Sequence, residues 1–261
     1  MVNSSNNNQS RIVIGTRVDL TSVEQTARWI LDRARREESC WSAHATVHML
    51  IEARNSPEFA RVLNGCNIVN PDGLPLVWMQ KLLGARNAGR ATGTETTLRV
   101  CEIAAADEVP VGFYGGTEET LRRLQDNLTR TYPSLKIAYA CSPPFRALSP
   151  DEDAKIVADI AASGTRILFV GLGCPKQERW CHDHRGRIMM PMVAIGAAFD
   201  FIAGTVPRAP KWVQGLGLEW LHRLLQEPRR LAYRYFVYNT RFLALVTLQL
   251  LGLRKLGAPQ G

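Results

Sequence analysis

Apolar, β-branched segments that alternate with helical patterns constrain the fold of this chain more than any other feature. Strands separated by helices pair in parallel, and the helices cover both faces of the sheet. The sequence therefore predicts an α/β fold with a mostly parallel sheet, whose strands bind ligands at their carboxyl ends. The predicted strands are Arg11–Ile14, Cys40–His44, Asn67–Val69, Val109–Tyr114, Lys136–Ala140, Arg166–Val170 and Met192–Ile195.

The last 57 residues differ from the rest in charge. Residues 205–261 contain nine Lys and Arg against two Asp and Glu, whereas residues 1–204 contain 23 against 22. We therefore divide the chain into a polar, disordered leader over 1–10, an α/β domain over 11–204 and a basic, helical, amphipathic appendage over 205–261. The leader lacks the apolar core of a signal peptide, which predicts a protein that stays in the cytosol.

The appendage combines an arginine stripe with an apolar run. Pro228 is expected to begin a helix on which Arg230, Arg234 and Arg241, spaced by four and seven residues, share one face that suits phosphates. The run from Phe242 to Leu253 has 12 residues, too few for the ~20 that span a bilayer. It predicts a helix lying in the membrane interface, with a helix docked on the body as the alternative. No recognised nucleic-acid module accompanies these features, so nucleic acid is not an expected partner.

Glycine-rich loops follow three predicted strands, at 115–117, 171–175 and 196–200. Glycine lets the backbone approach a ligand closely, and the free N–H groups of a helix N-terminus attract a diphosphate. These loops therefore predict a nucleotide site, with tight turns that bind nothing as the alternative. Neither a complete GxGxxG nor a P-loop is present, which argues against an NAD-dependent oxidoreductase.

Asp72, in the sequence Asn70-Pro71-Asp72-Gly73, directly follows a predicted strand. A carboxylate at this place can serve as a general base, although Pro-Asp-Gly is also ordinary turn chemistry. The run Asp151-Glu152-Asp153 follows Ser149-Pro150, which is typical of a helix start and not of a DxD metal site. The Cys and His residues lack zinc-site spacing, and no metal is expected.

Several motifs together resemble the WecG/TagA/CpsF glycosyltransferases, glycosyltransferase family 26. The motifs are NPDG at 70–73, RATGT at 90–94, FYGG at 113–116, GLGCPKQE at 171–178, GAAFDFIAG at 196–204, RAPKW at 208–212 and GLEWLHRLLQEPRRLAYRY at 217–235. The resemblance covers nearly the whole chain beyond the leader. It implies an α/β, Rossmann-like body and an inverting, metal-independent transfer of a sugar from a UDP-sugar to a polyprenyl-diphosphate-linked sugar.

The resemblance also implies roles for individual residues. Asp72 becomes the general base and Arg90 a catalytic residue near the diphosphate. The residues expected around the UDP-sugar are Thr94, Tyr114, Gly115, Gly116, Gly171, Gly173, Pro175, Gln177 and Asp200. Those expected around the acceptor and its lipid diphosphate are Thr46, His48, Arg208, Arg223, Arg230 and Arg234. The protein is then expected as a peripheral protein on the cytoplasmic face of the inner membrane, and a homo-oligomer is left open.

One departure from the family pattern affects the substrate. The family often has Thr-x-Asn where this chain has His44-Ala45-Thr46. The segment around His48–Arg54 resembles the exopolysaccharide branch, whose xanthan-type members are glucosyltransferases, so transfer of a hexose-type sugar in surface or exopolysaccharide synthesis is expected. The alternatives are transfer of N-acetylmannosamine or N-acetylmannosaminuronic acid and, more remotely, a non-catalytic nucleotide-binding regulator.

Overall fold

A six-stranded parallel sheet forms the centre of the molecule. The computed structural model describes residues 10–215 and 217–253, except for the side chains of Lys211, Arg230 and Arg234. The strands are β3 (Cys40–Ala45), β4 (Ile68–Pro71), β5 (Val111–Gly115), β6 (Ile137–Cys141), β7 (Ile167–Gly171) and β8 (Pro191–Ala194). Their order across the sheet is β4-β3-β8-β7-β5-β6, and each neighbouring pair is parallel. The predicted α/β fold is confirmed.

Helices pack on both faces of this sheet. Those of the body are α1 (Val23–Arg35), α2 (Val47–Asn55), α3 (Pro57–Asn64), α4 (Leu74–Leu82), α5 (Gly93–Ala106), α6 (Glu118–Thr131), α7 (Pro150–Ala162), α8 (Lys176–Asp183) and α9 (Ala198–Ala203). Alternate residues of β7 point to opposite faces. Leu168 and Val170 join a core with α2, α3 and α8, while Ile167 and Phe169 join a core with α1, α5, α6 and α9.

The acidic run at 151–153 begins α7. The Ser149 hydroxyl accepts a hydrogen bond from the Glu152 N–H at 3.2 Å, and the Glu152 carboxylate accepts one from the Ser149 N–H at 2.8 Å. This reciprocal pair is a capping box, which satisfies backbone donors that the first helical turn leaves free. The interpretation of the run as a helix start is confirmed.

The structure contains a hairpin where the sequence predicted one strand. β1 (Ser10–Val13) turns back at Ile14 and Gly15 and pairs antiparallel with β2 (Thr16–Asp19), apart from the main sheet. Ile14 has φ 43° and Gly15 φ 93°. Two successive positive φ angles are typical of the tight turns that join hairpin strands. Isoleucine is not a residue that predicts such a turn, so the hairpin was not expected at Ile14.

The appendage folds into helices α10 (Lys211–Gly215), α11 (Glu219–Gln226) and α12 (Pro228–Leu250). As predicted, α12 begins at Pro228. Phe242 and Leu245 are buried in the same core as α2. The Gln249 side chain accepts from the Ile14 N–H at 2.8 Å and donates to the Ile12 carbonyl at 2.7 Å. One face of α12 is therefore docked on the body, as in the alternative interpretation of the apolar run.

Another face of α12 is apolar and exposed. Tyr233, Phe236 and Leu243 are 77%, 76% and 64% exposed, and their spacing of three and seven residues sets them on one side of the helix. Within the described ranges, no helix is both long and apolar enough to cross a bilayer. The domain limits stay predictions, and residues 1–9 of the expected leader lie outside the described residues.

Candidate active site

The parallel strands deliver their carboxyl ends to one edge of the sheet. Thr46 follows β3, Asp72 follows β4, Gly116 follows β5 and Gly171 ends β7. The pairing of His44 with Asn70 and of Tyr114 with Val170 keeps these ends level. The fold thereby gathers residues that are more than a hundred positions apart in the sequence, and the gathering occurs where parallel sheets bind ligands.

Asp72 is held between β4 and the start of α5. Its N–H donates to the Ala45 carbonyl at 3.0 Å, and the Ala91 N–H donates to the Pro71 carbonyl at 2.9 Å. The Gly93 N–H donates to Asp72 Oδ2 at 3.3 Å. The segment 90–93 therefore runs alongside Asp72. The Asp72 carboxyl group accepts its hydrogen bond from the start of α5 and not from the backbone of its own turn.

The surroundings of Asp72 make it a stronger base than an ordinary aspartate. Burial raises its pKa from 3.8 to about 7, against the lowering effect of the Gly93 N–H. The charges of Glu219 and Glu95 also raise this pKa, whereas that of Arg90 lowers it. A base is most effective when its pKa lies near the working pH, so the site suits proton abstraction at neutral pH.

A chain of alternating charges lies beside Asp72. Arg90 donates from Nη1 to Glu219 Oε2 at 2.6 Å. Arg208 Nε lies 3.9 Å from Glu219 Oε1, and Arg208 Nη2 lies 3.3 Å from Glu95 Oε1. Glu219 is the first residue of α11, so the appendage itself contributes a carboxylate to this edge of the sheet.

Two of the glycines expected around the UDP-sugar are required by close packing within the protein. A Cβ on Gly115 would lie 2.4 Å from the Gly171 carbonyl oxygen, and a Cβ on Gly171 would lie 2.6 Å from the Phe199 ring. Gly173 differs, because a Cβ there would meet nothing within 4 Å. Gly116 has φ 72° and packs near the same Phe199 ring.

Gln177 fixes the loop that precedes α8. Its Oε1 accepts from the Gly173 N–H at 3.1 Å, and its Nε2 donates to Glu178 Oε1 at 2.7 Å. Burial raises the pKa of Glu178 to about 7. Pro175 directly precedes this helix. Gln177 is 3% exposed and lies 3.5 Å from the Cβ position of Gly196, so it joins the loops after β7 and β8.

A cavity of about 560 Å³ opens at the carboxyl ends of β5, β6 and β7. Its aromatic lining includes Tyr114 and Trp180, whose rings lie 4.6 Å apart. Its cationic lining includes Lys176 and two arginines that pair with acids, Arg146 with Glu152 and Arg187 with Asp153. Aromatic faces beside cations suit a ligand that has both a flat ring and phosphates.

Two further donor candidates lie away from the aromatic lining. Thr94 is buried on the first turn of α5. Asp200 is half-buried on α9, where its Oδ1 accepts from the Thr205 hydroxyl at 3.4 Å. Asp200 lies on the helix that follows β8, and β8 lies between β3 and β7 in the sheet.

The acceptor candidates Thr46 and His48 lie at the start of α2. Thr46 caps this helix by accepting from the Met49 N–H at 3.4 Å. His48 Nε2 lies 3.7 Å from Glu52 Oε1, and its ring packs edge-on against Tyr238 of α12. His44 is buried, which lowers its pKa to about 4, so this side chain is neutral at physiological pH.

The appendage arginines are divided between described and undescribed side chains. Arg208 belongs to the charge chain beside Asp72, and Arg223 lies over the Phe201 ring at 5.3 Å. The side chains of Arg230 and Arg234 lie outside the described residues.

Within the described part of the chain, no three His, Cys, Asp or Glu side chains converge as a metal site requires. Metal independence stays a prediction.

A model of the glycosyl transferase WecG/TagA/CpsF family matches residues 11–256. The chain belongs to the WecG/TagA/CpsF family. It is therefore a glycosyltransferase, and the regulator interpretation is set aside. The family match spans both the α/β body and the appendage, including Asp72, Arg90 and Glu219.

Two relatives carry more specific names. One from Bacillus spizizenii is 32% identical over 69% of this chain and 68% of its own length. One from Bacillus subtilis is 30% identical over 66% of each chain. Both are N-acetylglucosaminyldiphosphoundecaprenol N-acetyl-beta-D-mannosaminyltransferases. The chain thus spans about two thirds of each relative, and neither supports the expected xanthan-type branch.

Sequence reasoning missed several residues of this site. Glu219 was part of a motif but received no role, since nothing in the sequence shows that α11 returns to Asp72. Glu95 and Glu178 were also missed. Glu178 follows Gln177 in a run of polar residues, where carboxylates are expected to be exposed. In the structure, Glu178 is instead 0% exposed.

Proposed function

We propose that this protein transfers an N-acetylmannosaminyl group from a UDP-sugar to a polyprenyl-diphosphate-linked N-acetylglucosamine, with inversion at the anomeric carbon. The observation that carries this proposal is Asp72, a carboxylate with a pKa of about 7 at the end of β4. The names of both relatives support the transferred sugar and the class of acceptor. N-acetylmannosamine is the alternative transferred sugar of the sequence analysis.

The sheet offers room for an extended donor. The end of β7 is three strands from β4, and the end of β5 is four strands away. At 4.7–4.9 Å per strand these separations are roughly 14 and 19 Å. We place the nucleotide in the cavity lined by Tyr114, Trp180 and Lys176 and the sugar toward Asp72, an arrangement in which one nucleotide sugar lies across the sheet edge.

In this arrangement, Asp72 takes the proton of the acceptor hydroxyl as its oxygen attacks the anomeric carbon and the bond to UDP breaks. The leaving diphosphate gains negative charge. Lys176 on the first turn of α8 and the arginines beside Asp72 supply positive charge, so no metal is invoked. We expect the transfer to continue in EDTA, and a loss restored by Mg²⁺ or Mn²⁺ would contradict metal independence.

The appendage is proposed to bring the enzyme to its lipid-linked acceptor. The exposed face of α12 with Tyr233, Phe236 and Leu243 is apolar, and the segment carries most of the net charge. Such a surface suits a membrane interface with anionic lipids. This supports a peripheral position on the cytoplasmic membrane face, where a UDP-sugar is available.

A panel of donors tests the proposal. The wild-type protein is incubated with a synthetic polyprenyl-diphosphate N-acetylglucosamine and, separately, with UDP-N-acetylmannosamine, UDP-N-acetylmannosaminuronic acid, UDP-glucose and UDP-N-acetylglucosamine, and the lipid-linked product is measured by chromatography. We expect product from UDP-N-acetylmannosamine. Product from UDP-glucose alone would overturn the proposed donor and favour the hexosyl transfer that the segment around His48–Arg54 suggested.

A further inference from the structure

We propose that Glu219 of the appendage is a positioning residue, which holds Arg90 away from Asp72 and so keeps the base free to accept a proton. This inference rests on the proposed role of Asp72 as the base. It assigns to α11 a task distinct from binding a lipid or a phosphate, since the contributed group is a carboxylate.

Backbone contacts put Arg90 within reach of Asp72. The Ala91 N–H donates to the Pro71 carbonyl at 2.9 Å, so the residues next to Arg90 and Asp72 are hydrogen-bonded to each other. Two residues after Ala91, the Gly93 N–H donates to the Asp72 carboxylate. An arginine side chain that starts beside these contacts has the length to pair with that carboxylate.

Arg90 pairs instead with Glu219. Its Nη1 donates to Glu219 Oε2 at 2.6 Å, and the two side chains are 17% and 31% exposed. In the described part of the chain, the hydrogen bond to the Asp72 carboxylate comes from the Gly93 N–H and not from a guanidinium. The stronger partner of Arg90 is thus the appendage carboxylate.

Packing holds the start of α11 next to the segment that carries Asp72. A Cβ on Gly217 would lie 2.8 Å from Leu74 Cδ1, so the backbone two residues before Glu219 packs on the residue two positions after Asp72. Arg208 holds the other oxygen of Glu219 at 3.9 Å and also pairs with Glu95. The charged groups that act on Asp72 are therefore Arg90, Glu95 and Glu219.

The chemical consequence follows from charge pairing. A guanidinium beside an aspartate lowers its pKa by about 1–3 units and occupies its lone pairs. An Asp72 paired with Arg90 would be a weaker base, and its oxygen would be less available to the acceptor hydroxyl. Glu219 prevents this by competing for the same guanidinium.

The test uses Glu219→Gln, which keeps the shape of the side chain and removes its charge. We expect the acid limb of kcat/KM for the acceptor to move down by about 1–3 pH units. At pH 8 the kcat is expected to fall by up to about 10²-fold, the lower end of what a general base contributes, with the KM for the donor nearly unchanged. Glu102→Gln, which removes a carboxylate from the outer part of α5, is the matched control and keeps the wild-type profile.

A titration without substrate separates this inference from the proposed function. The pKa of the Asp72 carboxyl is measured by ¹³C NMR in the full chain, with Asp72→Asn to assign the signal. A lower pKa in Glu219→Gln supports the inference even if no transfer is found with any donor, whereas an unchanged pKa overturns it even if transfer is robust.

A second background keeps the test decisive if the single variant unfolds. Arg90→Gln/Glu219→Gln carries no unpaired charge, and it is compared with Arg90→Gln. Without Arg90, removal of Glu219 is expected to lower the pKa of Asp72 by clearly less than the roughly 1–3 units that pairing with a guanidinium causes. A fall of that full size between Arg90→Gln and Arg90→Gln/Glu219→Gln would show that Arg90 is not the intermediary and would overturn the inference.

Discussion

Burial of Asp72 has a thermodynamic consequence that can be measured without any substrate. Its pKa rises from 3.8 to about 7 on folding. Between these values the folded protein holds a proton that the unfolded chain has released, so stability falls as the pH rises through this window. The contribution is fully present below about pH 4 and is lost above about pH 7.

The size of this effect follows from the pKa difference. Each pKa unit corresponds to about 1.36 kcal/mol, so ionised Asp72 costs the fold about 4 kcal/mol at pH 8 relative to the protonated form. Asp72→Asn has no charge to bury. We therefore expect its stability relative to the wild type to rise by about 3 kcal/mol between pH 5 and pH 8.

Urea unfolding at these two pH values measures the difference. The free energy of unfolding is extrapolated for the wild type, for Asp72→Asn and for Asp151→Asn, which alters an exposed acid on the first turn of α7. The control is expected to show no comparable pH-dependent gain. If Asp72→Asn differs from the wild type by the same amount at pH 5 and pH 8, the carboxyl is not buried in the way that this account requires.

Three further predictions concern catalysis and packing. The rate of transfer should fall about tenfold per pH unit below pH 7, because the pKa of Asp72 is about 7 and the protonated carboxyl accepts no proton; a flat profile down to pH 5 would contradict this. Gly115→Ala should destabilise the fold more than Gly164→Ala, since its Cβ would lie 2.4 Å from a carbonyl oxygen while Gly164 has open space; equal losses in urea unfolding would contradict the close approach. Phe242→Ala should cost about 3–5 kcal/mol, because Phe242 is 4% exposed in the core shared with α2, and a loss near zero would mean that α12 is not docked.

The sheet was accessible from the sequence because its signals are local. Short β-branched runs followed by amphipathic helices predict parallel pairing without knowledge of any distant contact. The same holds for α7, because the neighbouring residues Ser149 and Pro150 suffice to predict where this helix begins. The β1–β2 hairpin was missed because Ile14 adopts a positive φ that is unusual for a β-branched residue.

The site was accessible only in part, because its geometry depends on contacts between distant segments. Asp72 could be singled out from its place after a strand. Its high pKa could not, since that depends on burial and on the charges of Glu219 and Glu95, which come from other segments of the chain. The pair Arg90–Glu219 joins residues 129 positions apart, and no periodicity in either segment indicates such a contact.

The amphipathic character of the appendage was visible in the sequence, but which face packs was not. The run from Phe242 to Leu253 contains both buried and exposed apolar residues. Phe242 and Leu245 pack on the body, whereas Leu243 between them is 64% exposed. Composition predicted a single interfacial surface, while the helix divides the same residues between a docked face and an exposed one.

The central claim is that Asp72 accepts the proton of the acceptor. The most direct test is the rate of transfer at pH 8 by Asp72→Asn relative to the wild type, measured together with the affinity of each protein for UDP. The account predicts a loss of about 10² to 10⁴ in kcat with UDP binding retained. Turnover close to that of the wild type would contradict it.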